Sequence, residues 1–204
     1  MLRLKTAIYL TSALLIAPQA WGLQGESIYI KGTLGGVYTI ASETVSDINF
    51  SLSGVGGVSH LYVGGSLNKS FKVFGYTGLA LTPKPTLKVE NLSIGTVHNA
   101  QTIFDLGIGA ALYTRGGQYV SLGASIAQNY YSFNVYGVDV GTYTRHGWGS
   151  QLMLGQEFPI SGRLSLGVSG LVYYGQVADV GPAPFDGIPI SNFYAGLVVG
   201  VTYD

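Results

Sequence analysis

The sequence contains no cysteine. That excludes a disulfide framework, a thiolate metal site, a cysteine nucleophile and a lipidated N-terminal cysteine. Charge is scarce as well. Asp, Glu, Lys and Arg make up 10% of the residues, against about 25% in a typical soluble domain, so the chain cannot build an ordinary water-facing surface. The formal net charge is +0 and no basic run occurs, which leaves out the electrostatic footprint of a nucleic-acid binder. Long apolar runs are missing too. Beyond the N-terminus each one is broken by Gly, Ser, Thr or a charge, well short of the roughly 20 residues of a membrane-spanning helix.

What is present is apolar, aromatic and glycine-rich: 47% hydrophobic, 12% aromatic and 31 Gly in 204 residues. The glycines keep no three-residue period, so the composition is not collagen-like. Residues 1–22 have the three parts of a secretory signal peptide, with Arg3 and Lys5, then the short apolar stretch TAIYLTSALLIAP, then small residues Ala20 and Gly22 before Leu23. The apolar stretch is too short for an uncleaved anchor. Residues 23–204 form the second expected unit, a single domain.

From residue 25 on, the hydrophobic pattern has period two. It predicts eight strands, near Ser27–Ile40, Val58–Asn68, Phe71–Thr82, Thr102–Thr114, Tyr119–Tyr131, Tyr143–Phe158, Leu164–Tyr174 and Ile190–Asp204. In the last, Phe193, Ala195, Leu197, Val199, Val201 and Tyr203 make one apolar face, and Asn192, Tyr194, Gly196 and Thr202 belong to the other. The links alternate in length. NKS, RGGQ and PISGR are short and suit tight hairpins. SETVSDINFSLSGVGG, PKPTLKVENLSIGTVHNAQ, SFNVYGVDVGT and GQVADVGPAPFDGIP are long and read as loops. Short turns on one side and long loops on the other are the layout of an outer-membrane barrel, and an even strand number returns both termini to the periplasmic side.

A soluble lipocalin-like barrel also has eight alternating strands, but its outer face should carry many Lys and Glu. Here the strand cores hold four charges, Lys31, Lys72, Asp105 and Glu157, all on the parity opposite the apolar stripe. A charge facing lipid costs a few kcal/mol near midplane, so these four are expected inside, as structural ion pairs, with Asp105 near Arg145. Tyr38, Phe104, Tyr130, Trp148, Tyr174 and Phe193 lie on the apolar parity toward the long-loop ends, and Phe158 and Tyr203 toward the opposite ends, sketching two interface girdles. The expected fold is therefore all-β: an eight-stranded antiparallel transmembrane β-barrel with up-and-down meander topology.

The signal segment, the eight strands and the ending YAGLVVGVTYD resemble the small outer-membrane β-barrel group of OmpA-type and opacity-type porin-like proteins. The resemblance covers nearly all of residues 23–204 and is one of pattern. It implies residence in the outer membrane of a Gram-negative-type bacterium, contact with outer-membrane lipid and lipopolysaccharide, folding by the barrel-assembly machinery, and a monomer. Members of that group usually end on Phe or Trp, which the assembly machinery reads; this chain departs from them in ending Tyr203-Asp204.

Chemistry finds little support. A lipid A-modifying esterase needs Ser, His and an acid in contact. His146 and Ser150 share a strand face but stand about 13 Å apart, His60 and Ser59 point to opposite faces, and His98 lies in a loop. No clustered metal ligands or phosphate loop occur, so no catalytic, metal or cofactor residue is assigned. An open pore is disfavoured, because eight strands leave an interior that side chains fill, and Tyr29, Tyr62, Tyr76, Tyr113, Tyr119, Tyr131, Tyr173 and Tyr194 point there. What remains is an envelope-structural or adhesin-like surface role through the long loops, including Lys84, Lys88 and a proline-stiffened Phe185.

Overall fold

A computed structural model of the chain describes residues 28–90, 92–96, 100–135, 138–180 and 186–204, with 132–135 and 138–140 as backbone alone. The expected signal peptide, His98 and Phe185 lie outside the described residues. Eleven strands form one antiparallel sheet: β1 Ile28–Val45, β2 Ile48–Ser66, β3 Phe71–Thr82, β4 Thr86–Val89, β5 Leu92–Thr96, β6 Gln101–Tyr113, β7 Gln118–Val135, β8 Val138–Tyr143, β9 Gly147–Ser161, β10 Leu164–Val180 and β11 Asp186–Tyr203. Eight of them, β1, β2, β3, β6, β7, β9, β10 and β11, pair each with the next, and β11 closes against β1 from Ile30↔Tyr203 to Ser42↔Ser191. The ring is a closed barrel. Strands β4, β5 and β8 are additions on its far side, with β4 on β2, β5 on β4 and β8 on β7.

Period two decides which way each side chain points. The apolar parity faces outward: Leu34, Ile108, Leu122, Ile126, Leu154 and Leu197 are all exposed. The polar parity faces inward and is buried. Closure explains why a sheet with an oily exterior is stable, because within hydrocarbon no backbone N–H or C=O is left at an open edge. Between the aromatic girdles no Lys, Arg, Asp or Glu faces outward on any of the eight strands. From Phe193 to Tyr203, or from Trp148 to Phe158, is ten residues, about 33 Å along a strand. At a tilt near 40° that spans roughly 25 Å, the height of an outer-membrane apolar band. The chain is a transmembrane barrel, although no helix among the described residues is long and apolar enough to cross a membrane.

The expectation of four long loops is corrected: PKPTLKVENLSIGTVHNAQ carries β4 and β5, SFNVYGVDVGT the end of β7 and most of β8, and GQVADVGPAPFDGIP the end of β10 and the start of β11. The segment SETVSDINFSLSGVGG is not a loop either. Strands β1 and β2 stay paired from Ile28↔Gly65 to Val45↔Ile48 and reverse at Ser46 and Asp47, whose φ values are 49° and 68°. Two consecutive positive φ angles are those of a type I′ hairpin turn. The alternation persists in this segment, with small polar residues in place of an apolar stripe, so its hydrophobicity gave no strand signal.

Candidate functional site: lumen and extracellular sheet

At the periplasmic end, Lys31 on β1 and Glu157 on β9 meet inside the barrel, 2% and 7% exposed. Lys31 Nζ donates to Glu157 Oε1 at 2.9 Å and to the Tyr119 hydroxyl at 2.5 Å. Glu157 Oε1 also accepts from the hydroxyls of Tyr113 at 2.9 Å and Thr202 at 2.7 Å. Tyr119 in turn hydrogen-bonds Ser169. These residues come from six strands, and the contact exists only because the barrel closes. Buried ions need partners and hydrogen bonds for their remaining sites, and this pair has both.

Lys72 is paired too, with Asp204, whose side chain turns inward to Lys72 Nζ at 2.5 Å and to the Ser66 hydroxyl at 2.6 Å. Lys72 also lies over the rings of Tyr29 and Tyr113, 4.8 and 4.3 Å from their centroids. Asp105 lies inside at 4% exposure, but not near Arg145. Arg145 is exposed and pairs with Asp186 at 2.7 Å, because β9 begins only at Gly147 and leaves Arg145 above the lumen. The neighbour of Asp105 is His60, to which sequence reading assigned no role.

The eight lumenal tyrosines are spread along the bore, and Tyr62, Tyr76, Tyr173 and Tyr194 fill its middle. Tyr173 and Tyr194 stack at 4.5 Å, and Tyr62, Tyr76, Phe74 and His60 pack ring against ring. Seven of the eight are buried and Tyr113 is partly so. Glycines make the room at two crowded points. A Cβ on Gly64 would strike Phe74, and one on Gly78 would strike both Asp105 and His60. Toward the extracellular end lies a layer of amides that sequence reading missed: Asn129 donates to Asn192 Oδ1 and to the Tyr131 hydroxyl, both at 2.9 Å, with Gln101 beside them. Their signal was present, since each sits on the inward parity, but nothing in sequence says that a small polar residue is buried rather than solvated.

The eight predicted interface aromatics all face outward. Tyr38, Phe104, Trp148, Tyr174 and Phe193 are exposed toward the extracellular side and Phe158 and Tyr203 toward the periplasmic side; Tyr130 is half-buried against Tyr143 at 4.7 Å. Just above the upper girdle the polarity of the wall inverts. Ser42, Ser191 and Gln176 stand side by side on the outer face, while Ala41, Val177 and Ile190 face inward within the core, Leu52 packs against it and Val45 is buried. A wall that is oily outside and polar inside within the bilayer is polar outside and oily inside in water, as the change of solvent requires. There β1, β2, β4 and β5 form a sheet that stands above the membrane. Its edge strand β5 is exposed at every residue, with Leu92 and Ile94 presented to solvent.

No family model matches the sequence, and no curated protein matches it. Among solved structures, the chain is similar to Neisserial surface protein A, at 15% identity and a TM-score of 0.48 over 86% of this chain and 99% of that one. It is similar to Ail, the attachment invasion locus protein of Yersinia pestis, solved with a heparin analogue, at 8% identity and a TM-score of 0.47 over 85% and 99%. It is also similar to the outer membrane protease OmpT of Escherichia coli, at 8% identity and 0.44 over 89% and 99%. With eight strands closed in a meander, an uncharged outer band between two aromatic girdles, short turns at one end and extended strands at the other, the chain has the fold of a small outer-membrane β-barrel.

Proposed function

We propose that this chain is a non-enzymatic surface-contact protein: the barrel anchors it in the outer membrane, and the extracellular sheet β1–β2–β4–β5 makes contacts outside the cell. The observation that carries this reading is the inversion of polarity above the girdle. It makes the extracellular part a folded sheet with its own apolar interior, so loop residues are held on a rigid support, as binding surfaces commonly are. The filled lumen supports an anchor over a pore. Among the described residues the hydroxyl hydrogen-bonded to His60 is that of Tyr194, and Ser150 donates to the Tyr174 carbonyl on the lipid face, which supports a contact role over an esterase. The surrounding lipopolysaccharide and the barrel-assembly machinery are its proposed partners in the envelope, and it acts as a monomer.

The test compares cells carrying the full chain with cells whose residues 84–100 are replaced by a short Gly-Ser turn. Attachment to protein- and glycan-coated surfaces and cell-to-cell aggregation are scored at matched outer-membrane levels. Loss of attachment with the barrel retained is expected. Equal behaviour on every surface would remove the contact reading and leave the barrel as envelope structure.

A further inference from the structure

The lumen holds one acid that its lysines leave alone. Lys31 is committed to Glu157 and Lys72 to Asp204, so among the described residues Asp105 has no ammonium partner. No side chain hydrogen-bonds either of its carboxylate oxygens; its backbone neighbour is the amide of Gly78. Its ionisable neighbour is His60, whose side chain is fully buried and whose Nε2 lies 4.0 Å from Asp105 Oδ2. The same nitrogen lies 3.3 Å from the Tyr194 hydroxyl. One imidazole nitrogen on β2 thus lies 4.0 Å from a carboxylate oxygen on β6 and 3.3 Å from a phenol oxygen on β11. Gly78 keeps the space between the first two clear, because any Cβ there would meet both Asp105 and the His60 ring. The rings of Tyr62 and Tyr76, at 5.7 and 6.3 Å, hold the imidazole in place.

A carboxyl group this deeply buried is stable either protonated or with its charge compensated by a cation. Two ligands each about 2.1 Å from a common ion lie about 3.4 Å apart when the coordination is tetrahedral. The nitrogen–phenol separation already matches, and the nitrogen–carboxylate separation closes with a side-chain shift of about 0.6 Å. Imidazole with carboxylate favours zinc-class ions over calcium or magnesium. We propose that His60, Asp105 and Tyr194 form a mid-lumen site for a divalent ion of the zinc class, with water completing the coordination. His60 and Asp105 would supply two of the ligands and the Tyr194 phenol the third, because no group of three His, Cys, Asp or Glu that could hold a metal occurs among the described residues. On the site's extracellular side lies the buried layer of Gln101, Asn129 and Asn192, each of which has an amide atom without a hydrogen-bond partner. The bound ion would neutralise Asp105 and tie three strands together. The proposal is independent of the surface-contact reading.

The full chain, folded in detergent micelles and stripped with chelator, is titrated with Zn²⁺, and with Co²⁺ as an optical probe, while the ring nitrogens of His60 are followed by NMR. One equivalent is expected to bind and to shift the His60 Nε2 signal. H60Q and D105N are expected to weaken binding at least tenfold, Y194F less, and H146Q not at all. The absence of saturable binding would overturn the site, as would binding that survives both H60Q and D105N. A His60 signal that moves with pH and ignores Zn²⁺ would also overturn it, since a proton would then be the compensating cation. Should D105N fail to fold, H60Q and the wild-type ring signal decide.

Discussion

Lys31 and Glu157 show how much a single position asks of the rest of the barrel. Each is inward by the parity of its strand, and that much is legible in sequence. Their contact spans 126 positions and depends on closure, which no local pattern encodes. Removing one member of a buried, hydrogen-bonded pair leaves an uncompensated charge and costs about 3 kcal/mol or more. Glu157→Gln is therefore expected to lower stability by about 3 kcal/mol in denaturant unfolding from detergent micelles. Tyr113→Phe, which removes a single hydrogen bond to that carboxylate, should lose only about 1–2 kcal/mol. Above the membrane, burial and the nearby Asp179 hold the Glu43 carboxyl above the usual carboxylate range. A raised folded-state value means the unfolded chain ionises first. Stability linked to Glu43 is therefore full below the ordinary carboxylate range and falls as pH rises through the raised value. Glu43→Gln should flatten that part of the pH–stability curve; an unchanged slope would remove Glu43 as its source.

The first hairpin is the element that sequence reading placed least well. A strand was expected to end near Ile40, and instead β1 runs on to Val45 and returns as β2. The apolar stripe stops at the girdle because the solvent changes there, while the pairing continues because hydrogen bonding does not depend on which face is oily. The turn residues Ser46 and Asp47 occupy a conformation that Asn-Gly adopts with less strain. Replacing them by Asn-Gly should raise stability by about 0.5–1 kcal/mol, read by the same unfolding assay. Strands β4 and β5 pair outside the ring of eight, so replacing residues 84–100 with a short turn should leave the barrel folded. A variant that no longer enters the outer membrane would mean that β4 and β5 support the wall itself.

At the scale of the molecule, a barrel closed by an unbroken ladder resists detergent until heated. Unboiled protein should migrate faster on a detergent gel than boiled protein, and a sample showing no shift would contradict closure. The outer band should not tolerate charge. Leu122→Arg, facing lipid, is expected to cost about 2–4 kcal/mol, whereas Ser51→Arg, on the outer face above the girdle, should stay within about 0.5 kcal/mol. Planar-bilayer recordings should show no steady open channel, since tyrosines and the Lys31–Glu157 cluster fill the bore.

The sequence by itself determined the number of strands in the ring, the face each of their residues takes and the membrane as solvent for the outer face. These follow from period two and from where charge is absent, and both are local properties of the chain. Only the tertiary structure decided which buried groups meet. It sent Lys72 to Asp204, Asp105 to His60 and Arg145 to Asp186, and set Asn129 against Asn192. The reason is geometric: a side chain's direction is fixed by its own strand, but its neighbours across the lumen are fixed by the register and tilt of all eight strands together, and those are settled only when β11 closes on β1.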